Sequence, residues 1–157
     1  MKLENMYQEI ILDHYKRPHG KGLSEEFDAQ VHHVNPTCGD EITLQVKRNS
    51  DGSLTVSYDN MGCSISQASA SILFDQINDV DFKTGDTALG HLVAMLQRTE
   101  DPNEDLLGDG IALAGVAQYP ARVKCALLAW MAWKDAAIQA GAESDTVSIS
   151  TNKEERS

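Results

Sequence analysis

Phe27–Tyr58, FDAQVHHVNPTCGDEITLQVKRNSDGSLTVSY, is the stretch that decides the fold. Val31, Ile42, Leu44, Val46, Leu54, Val56 and Tyr58 fall in short alternating runs, the period of strands with one face buried. The runs are parted by turn signals at Asn35-Pro36 and Asn49-Ser50-Asp51-Gly52. Three strands in an antiparallel meander follow, the last pair closed as a hairpin.

On both sides of this stretch the period becomes helical. Leu3, Met6, Tyr7, Ile10, Ile11 and His14 recur at three- and four-residue spacing and predict an amphipathic helix ending before Pro18, with a loop at Gly20 and Gly22. After Cys63, Ser64 to Asn78 reads as a helix rich in Ser and Ala, small enough to pack closely on the sheet. Thr84 to Gln97 forms another, with Leu89, Leu92, Val93 and Leu96 inward. Pro102 and Gly108-Asp109-Gly110 break the chain, and Ile111 to Val116 predicts a helical turn or two. Pro120 suits the first turn of a last helix, Ala121 to Ala140, stopped by Gly141. The expected class is α+β: a three-stranded antiparallel sheet with helices packed on one face. Residues 1–141 are expected to form one domain, and the polar segment 142–157 a disordered tail.

The 157 residues suffice for one core without disulfides. A net charge of -11 repels nucleic acid and anionic membranes, so neither is an expected partner. An odd count of 3 cysteines argues against a disulfide framework. Acidic residues in the first helix exclude a signal peptide, and no apolar run approaches the length of a membrane span. The expected location is the reducing cytoplasm, where thiols are available as ligands or nucleophiles.

Those thiols, with one carboxylate, are the candidate site. Cys38 and Asp40 flank Gly39 at the entry to a strand, where positions i and i+2 point to one side. Cys63 precedes a helix, where exposed N–H groups favour a thiolate. Cys125 opens the last helix between Lys124 and Ala126, and Arg122 and Lys124 are expected to lower its pKa. Three thiols and a carboxylate number four ligands, which suits tetrahedral zinc, while thiolates also suit iron–sulfur clusters. A free cysteine taken singly is more often a small buried apolar residue. All three lie at element ends beside glycine or charged residues, which favours the site. His32 and His33 point to opposite faces of a strand and are not expected to share an ion. Trp130 and Trp133 have ordinary core spacing, and Glu100, Asp101, Glu104 and Asp105 read as a solvated loop.

Four blocks resemble the U-type iron–sulfur assembly proteins: Asp13-His14-Tyr15-Lys16-Arg17-Pro18, Asn35-Pro36-Thr37-Cys38-Gly39-Asp40, Gly62 to Ser71, and Arg122-Val123-Lys124-Cys125. The likeness runs in order from about Leu3 to Ala140. One branch of that family, IscU-like, builds a [2Fe–2S] cluster and carries a histidine directly before the third cysteine. The SufU-like branch lacks it, has a longer segment between the second and third cysteines, binds zinc and accepts persulfide sulfur from the cysteine desulfurase SufS. Here Lys124 takes the histidine's place, and positions 64 to 124 separate Cys63 from Cys125.

The resemblance therefore implies a zinc-dependent sulfurtransferase, active only together with a SufS-type cysteine desulfurase and feeding downstream iron–sulfur assembly proteins. It implies Cys38, Asp40, Cys63 and Cys125 as zinc ligands and Cys38 as the cysteine that takes sulfur. A desulfurase histidine is held to displace one cysteine from the zinc. Arg122 matches a residue of the desulfurase contact, with Lys124 beside it. The alternatives are a scaffold carrying a transient iron–sulfur cluster and an interaction module stapled by structural zinc.

Overall fold

The computed structural model describes residues 3–143. Helix α1 (Leu3–Lys16) leads through a loop into strands β1 (Ala29–Asn35), β2 (Asp40–Arg48) and β3 (Ser53–Met61). Helix α2 (Ser64–Ile77), strand β4 (Val80–Asp81) and helix α3 (Phe82–Leu96) follow. A short α4 (Glu104–Leu107) runs into a 3-10 helix (Gly108–Val116), and α5 (Pro120–Gln139) completes the order.

The sheet is antiparallel in the order β1-β2-β3-β4. The expected three strands are thus joined by a fourth, which pairs Val80 and Asp81 with Leu54 and Ser53. Two residues are too few to show an alternation, so β4 leaves no periodic signal. It forms where Asp79, at φ 62, turns the chain leaving α2 back along the sheet edge.

Register determines what meets the helices. Val31 pairs with Leu44 and Leu44 with Tyr58, while Ala29 pairs with Val46 and Val46 with Val56, all buried on one face. At the end of the same inward row Asn35 pairs with Asp40, so the sheet itself delivers a polar pair to the helix side. The opposite face carries Gln30, His32, Thr43, Lys47, Thr55 and Asp59. His32 and His33 do point to opposite faces: His32 contacts Thr43 and Glu41, and His33 reaches Asp135 of α5 at 2.8 Å.

Small residues let α2 sit deep. Ala68, Ser69, Ala70 and Ser71 are buried, and Ser69 Oγ donates to the Ala126 carbonyl of α5 at 2.6 Å. Trp130 Nε1–H donates to the same Ser69 oxygen at 3.0 Å, so both tryptophans of α5 are core residues, as their spacing predicts. Trp133 stacks on Phe82 with ring centroids 5.7 Å apart. A Cβ at Gly85 would overlap the Trp133 ring. Gly85→Ala is therefore expected to destabilise the fold by about 1–3 kcal/mol, the usual cost of overpacking, read from the midpoint of denaturant unfolding.

The start of α3 is capped by Asp81, whose side chain accepts from the Thr84 N–H at 2.9 Å. Hydrogen bonds from Thr84 hold the Asp81 carboxyl below its ordinary pKa. A depressed folded pKa gives stability that is present above the unfolded pKa, about 4, and is lost as pH falls through the folded one. Asp81→Ala is expected to cost about 1 kcal/mol at neutral pH. The gap between parent and variant should close as unfolding is measured at increasingly acid pH.

Ala142 is buried in the core, just beyond the glycine expected to end the domain. Of the expected tail, 144–157 lies outside the described residues.

Candidate metal centre

Three structural junctions meet at one end of the sheet. The first is the turn between β1 and β2. Gly39, at φ 72, swings the chain round so that Cys38 lies on the turn while Asp40 begins β2. Cys38 and Asp40 therefore converge through a left-handed glycine and not through the strand alternation expected from their spacing. The second junction is the entry to α2, where Cys63 is the N-cap and its sulfur lies 3.5 Å from the Ser66 N–H. The third is α5. This helix begins at Pro120, so Cys125 lies in its second turn and not at its opening.

The four predicted side chains come together. Cys38 Sγ and Cys125 Sγ are 3.2 Å apart. Cys38, Asp40 and Cys125 offer donor atoms all within 4.8 Å of one another. Cys63 flanks this trio, its sulfur 4.0 Å from Asp40 Oδ2. Asp40 and Cys125 are fully buried, whereas Cys38 and Cys63 are partly exposed.

Asp40 is held on both oxygens. Its Oδ1 accepts the Cys63 N–H at 2.8 Å, and Oδ2 faces the Asn35 amide at 3.5 Å. Burial acts to raise its pKa, but the hydrogen bonds from Cys63, Cys125 and Ser66 prevail and keep the carboxyl below its ordinary value. Cys125 goes the other way. Burial, then Asp40 and the other thiols, push its pKa well above that of a free thiol, against the lowering expected from Arg122 and Lys124. Both basic residues are exposed, so water screens them, while the desolvation of Cys125 is complete.

Arg122 nonetheless faces the site. Its guanidinium pKa is raised by the charge of Cys63 first, then by Cys125 and Cys38. Arg122 and Cys125 are three apart on α5 and share a face, whereas Lys124 is turned about 100° from its neighbour. Lys124 is exposed and takes no part in the hydrogen bonds described at the site.

Two further residues build the site and carried no expectation of a role in it. Asn35 is buried, and its Nδ2 lies 3.6 Å from Cys125 Sγ as well as 3.5 Å from Asp40, bridging two of the four. Its signal was a polar residue in register with the inward positions Val31 and His33. Gly62, at φ 143, lets the chain pass so close to Asp40 that a Cβ there would overlap its carboxylate.

The donor set fits a thiophilic dication. Tetrahedral zinc with bonds of about 2.3 Å to sulfur places its sulfurs about 3.8 Å apart. The Cys38 and Cys125 sulfurs, 3.2 Å apart, lie within about 0.6 Å of that span. Asp40, held below its ordinary pKa, offers a carboxylate oxygen beside the sulfurs of Cys38, Cys63 and Cys125, a mixed oxygen and sulfur set that zinc accepts.

Three cysteines and an aspartate thus converge at one end of a helix-backed antiparallel sheet as a candidate metal centre. The model of the NifU-like N-terminal domain family matches residues 6–126, and the chain belongs to that family. It is 40% identical over 130 residues to the zinc-dependent sulfurtransferase SufU of Bacillus subtilis, covering 83% of this chain and 88% of that one. It is also 40% identical over 136 residues to the iron–sulfur cluster assembly scaffold protein IscU of Streptococcus pyogenes, covering 86% and 84%. Among solved structures, the iron–sulfur cluster assembly scaffold protein for the SUF system (FiSufU) of Fervidobacterium islandicum matches with a TM-score of 0.72 at 30% identity, over 85% of this chain and 98% of that one.

Proposed function

We propose that this chain is a zinc-binding sulfur acceptor that takes persulfide sulfur from a SufS-type cysteine desulfurase, activates that enzyme and passes sulfur to downstream iron–sulfur assembly proteins. The observation that carries the reading is the inequality of the three thiols. Cys125 is buried in a helix and Cys63 caps one, but Cys38 sits on a four-residue turn, 36–39, and reaches solvent. Cys38 is the sulfur with freedom to meet a partner.

Zinc, bound by Cys38, Asp40, Cys63 and Cys125, would supply thiolate at neutral pH by making ligation, not a proton, the partner of sulfur. The transfer itself is a displacement. The Cys38 thiolate attacks the outer sulfur of the desulfurase persulfide and forms a new S–S bond. The S–S bond of the desulfurase persulfide breaks, and its thiolate leaves with the electron pair. Arg122 and Lys124, exposed on the first turns of α5, are the cations we assign to the desulfurase contact. Thiols that must stay reduced to bind zinc support a cytoplasmic location. The charge of -11 disfavours nucleic acid, and among the described residues no helix is long and apolar enough to cross a membrane.

A second reading is a scaffold on which a [2Fe–2S] cluster is built, favoured by the equal identity to a relative named as a scaffold. Lys124, where the cluster-building branch has histidine, weighs against it. So does the long segment from β4 through the 3-10 helix between Cys63 and Cys125. Metal content and absorbance of the chain purified without added metal, followed by desulfurase turnover with and without it, separate the readings. Bound zinc with stimulation is expected. A brown, iron-loaded product would favour the scaffold, and zinc without stimulation would leave only a structural metal.

A further inference from the structure

A second group of potential ligands lies away from the thiols, where α1, α2 and the 3-10 helix meet. His14 is in the last turn of α1 and is 2% exposed. One of its ring nitrogens, Nδ1, lies 2.7 Å from Ser71 Oγ, and the other, Nε2, lies 2.8 Å from Asp109 Oδ2. His19 follows in the loop, its Nδ1 2.7 Å from Asp75 Oδ2. The two imidazoles are 4.7 Å apart between centroids. Donor atoms of His14, His19 and Asp75 all lie within 4.8 Å of one another.

We infer that His14, His19 and Asp75, with Asp109 beside them, form a second metal site for a divalent first-row transition ion with nitrogen and oxygen ligands. Two imidazoles and a carboxylate from separate elements are the donor set that such ions take, and this set contains no sulfur. The outer support is in place as well. Ligating histidines characteristically donate their other ring N–H to an oxygen, which fixes the tautomer, and Ser71 Oγ stands at that position for His14 Nδ1.

His19 is held from both ends of its peptide unit. Its N–H donates to Ser71 Oγ at 2.8 Å, and its carbonyl accepts from the buried Tyr58 hydroxyl at 2.7 Å. Gly20, at φ 71, follows in a space where a Cβ would overlap the Phe74 ring, so the loop is seated closely on α2. The ligands are thus pre-positioned, while the exposure of His19 and Asp75 leaves a path for an ion to enter. Ser71 lies eight positions beyond Cys63, about 12 Å along α2, which makes this a site apart from the thiolate centre. Two carboxylates beside two imidazoles, on a chain of net charge -11, supply the field that draws in a dication.

The test is a cobalt(II) titration of the full chain loaded with one equivalent of zinc. A second equivalent should bind and give weak d–d absorption without sulfur-to-cobalt charge transfer. His19→Ala and Asp75→Asn, both at exposed positions, should each weaken that second equivalent about tenfold or more while the zinc equivalent stays bound. The inference fails if no second equivalent binds, if the cobalt signal is only that of thiolate ligation, or if the second equivalent is as tight in both variants. In each case the cluster is a hydrogen-bonded staple between α1 and α2.

Discussion

Cys38→Ala is expected to reduce desulfurase stimulation to the rate of the desulfurase alone while most of the zinc stays bound. The two halves of this result follow from different parts of the structure. The turn that carries Cys38 contributes one donor, whereas Asp40, Cys63 and Cys125 are fixed by the sheet end and two helices. Three protein ligands are what catalytic zinc sites commonly keep, so loss of the fourth leaves a viable site. Sulfur transfer, by contrast, has no substitute for the missing thiol. Cys125 is buried and the backbone of Cys63 is fixed as the α2 N-cap, so Cys38, on its turn, is the thiol whose backbone is freest to move toward a partner. Zinc assayed with a chelating dye and turnover assayed as sulfide release measure both halves on one sample. Full stimulation by the variant would remove Cys38 from the mechanism.

Gly62→Ala should damage the site without replacing any of the four proposed ligands. The residue is at φ 143, a backbone conformation that side chains resist at a cost of about 1–3 kcal/mol. Its added Cβ would overlap Asp40 Oδ1 and lie 2.8 Å from Asp40 Cα and 2.9 Å from Ser66 Oγ. Relief requires Asp40 to move, and Asp40 Oδ1 is the acceptor that fixes the Cys63 N–H. Two of the four proposed ligands are displaced together. Zinc affinity is expected to fall about 10- to 100-fold, the range seen when the support of a ligand is lost. A competition titration against a calibrated chelator measures it, and unchanged affinity would show that the Gly62 to Asp40 approach is not what holds the site.

The elements with a long period were legible from the chain. Alternation of Val31, Leu44 and Val56 gave the inward face of three strands, and α1, α2, α3 and α5 followed from three- and four-residue spacing. Strand β4 was not, because pairing of two residues depends on where α2 ends in space. The four site residues were visible as residue types at junctions, yet the way they converge was not. The joint action of Gly39 and Gly62, both left-handed, is a property of backbone direction that a residue name only permits. The rise of the Cys125 pKa was hidden for a similar reason: Arg122 and Lys124 are neighbours in sequence, but burial comes from elements far along the chain. Asn35 read as a turn former before Pro36, and its pairing with Asp40 shows it facing inward, in step with Val31 and His33. His14 is another long-range case, since its partners Ser71 and Asp109 lie 57 and 95 residues away.

Incubation of the zinc-loaded chain with a SufS-type desulfurase and cysteine, followed by alkylation without reductant and peptide mass analysis, tests the central claim most directly. The predicted result is one additional sulfur atom on the peptide that contains Cys38, formed only when desulfurase and cysteine are both present. Additional sulfur confined to Cys63 or Cys125, or none on any of the three while the desulfurase turns over, would contradict it.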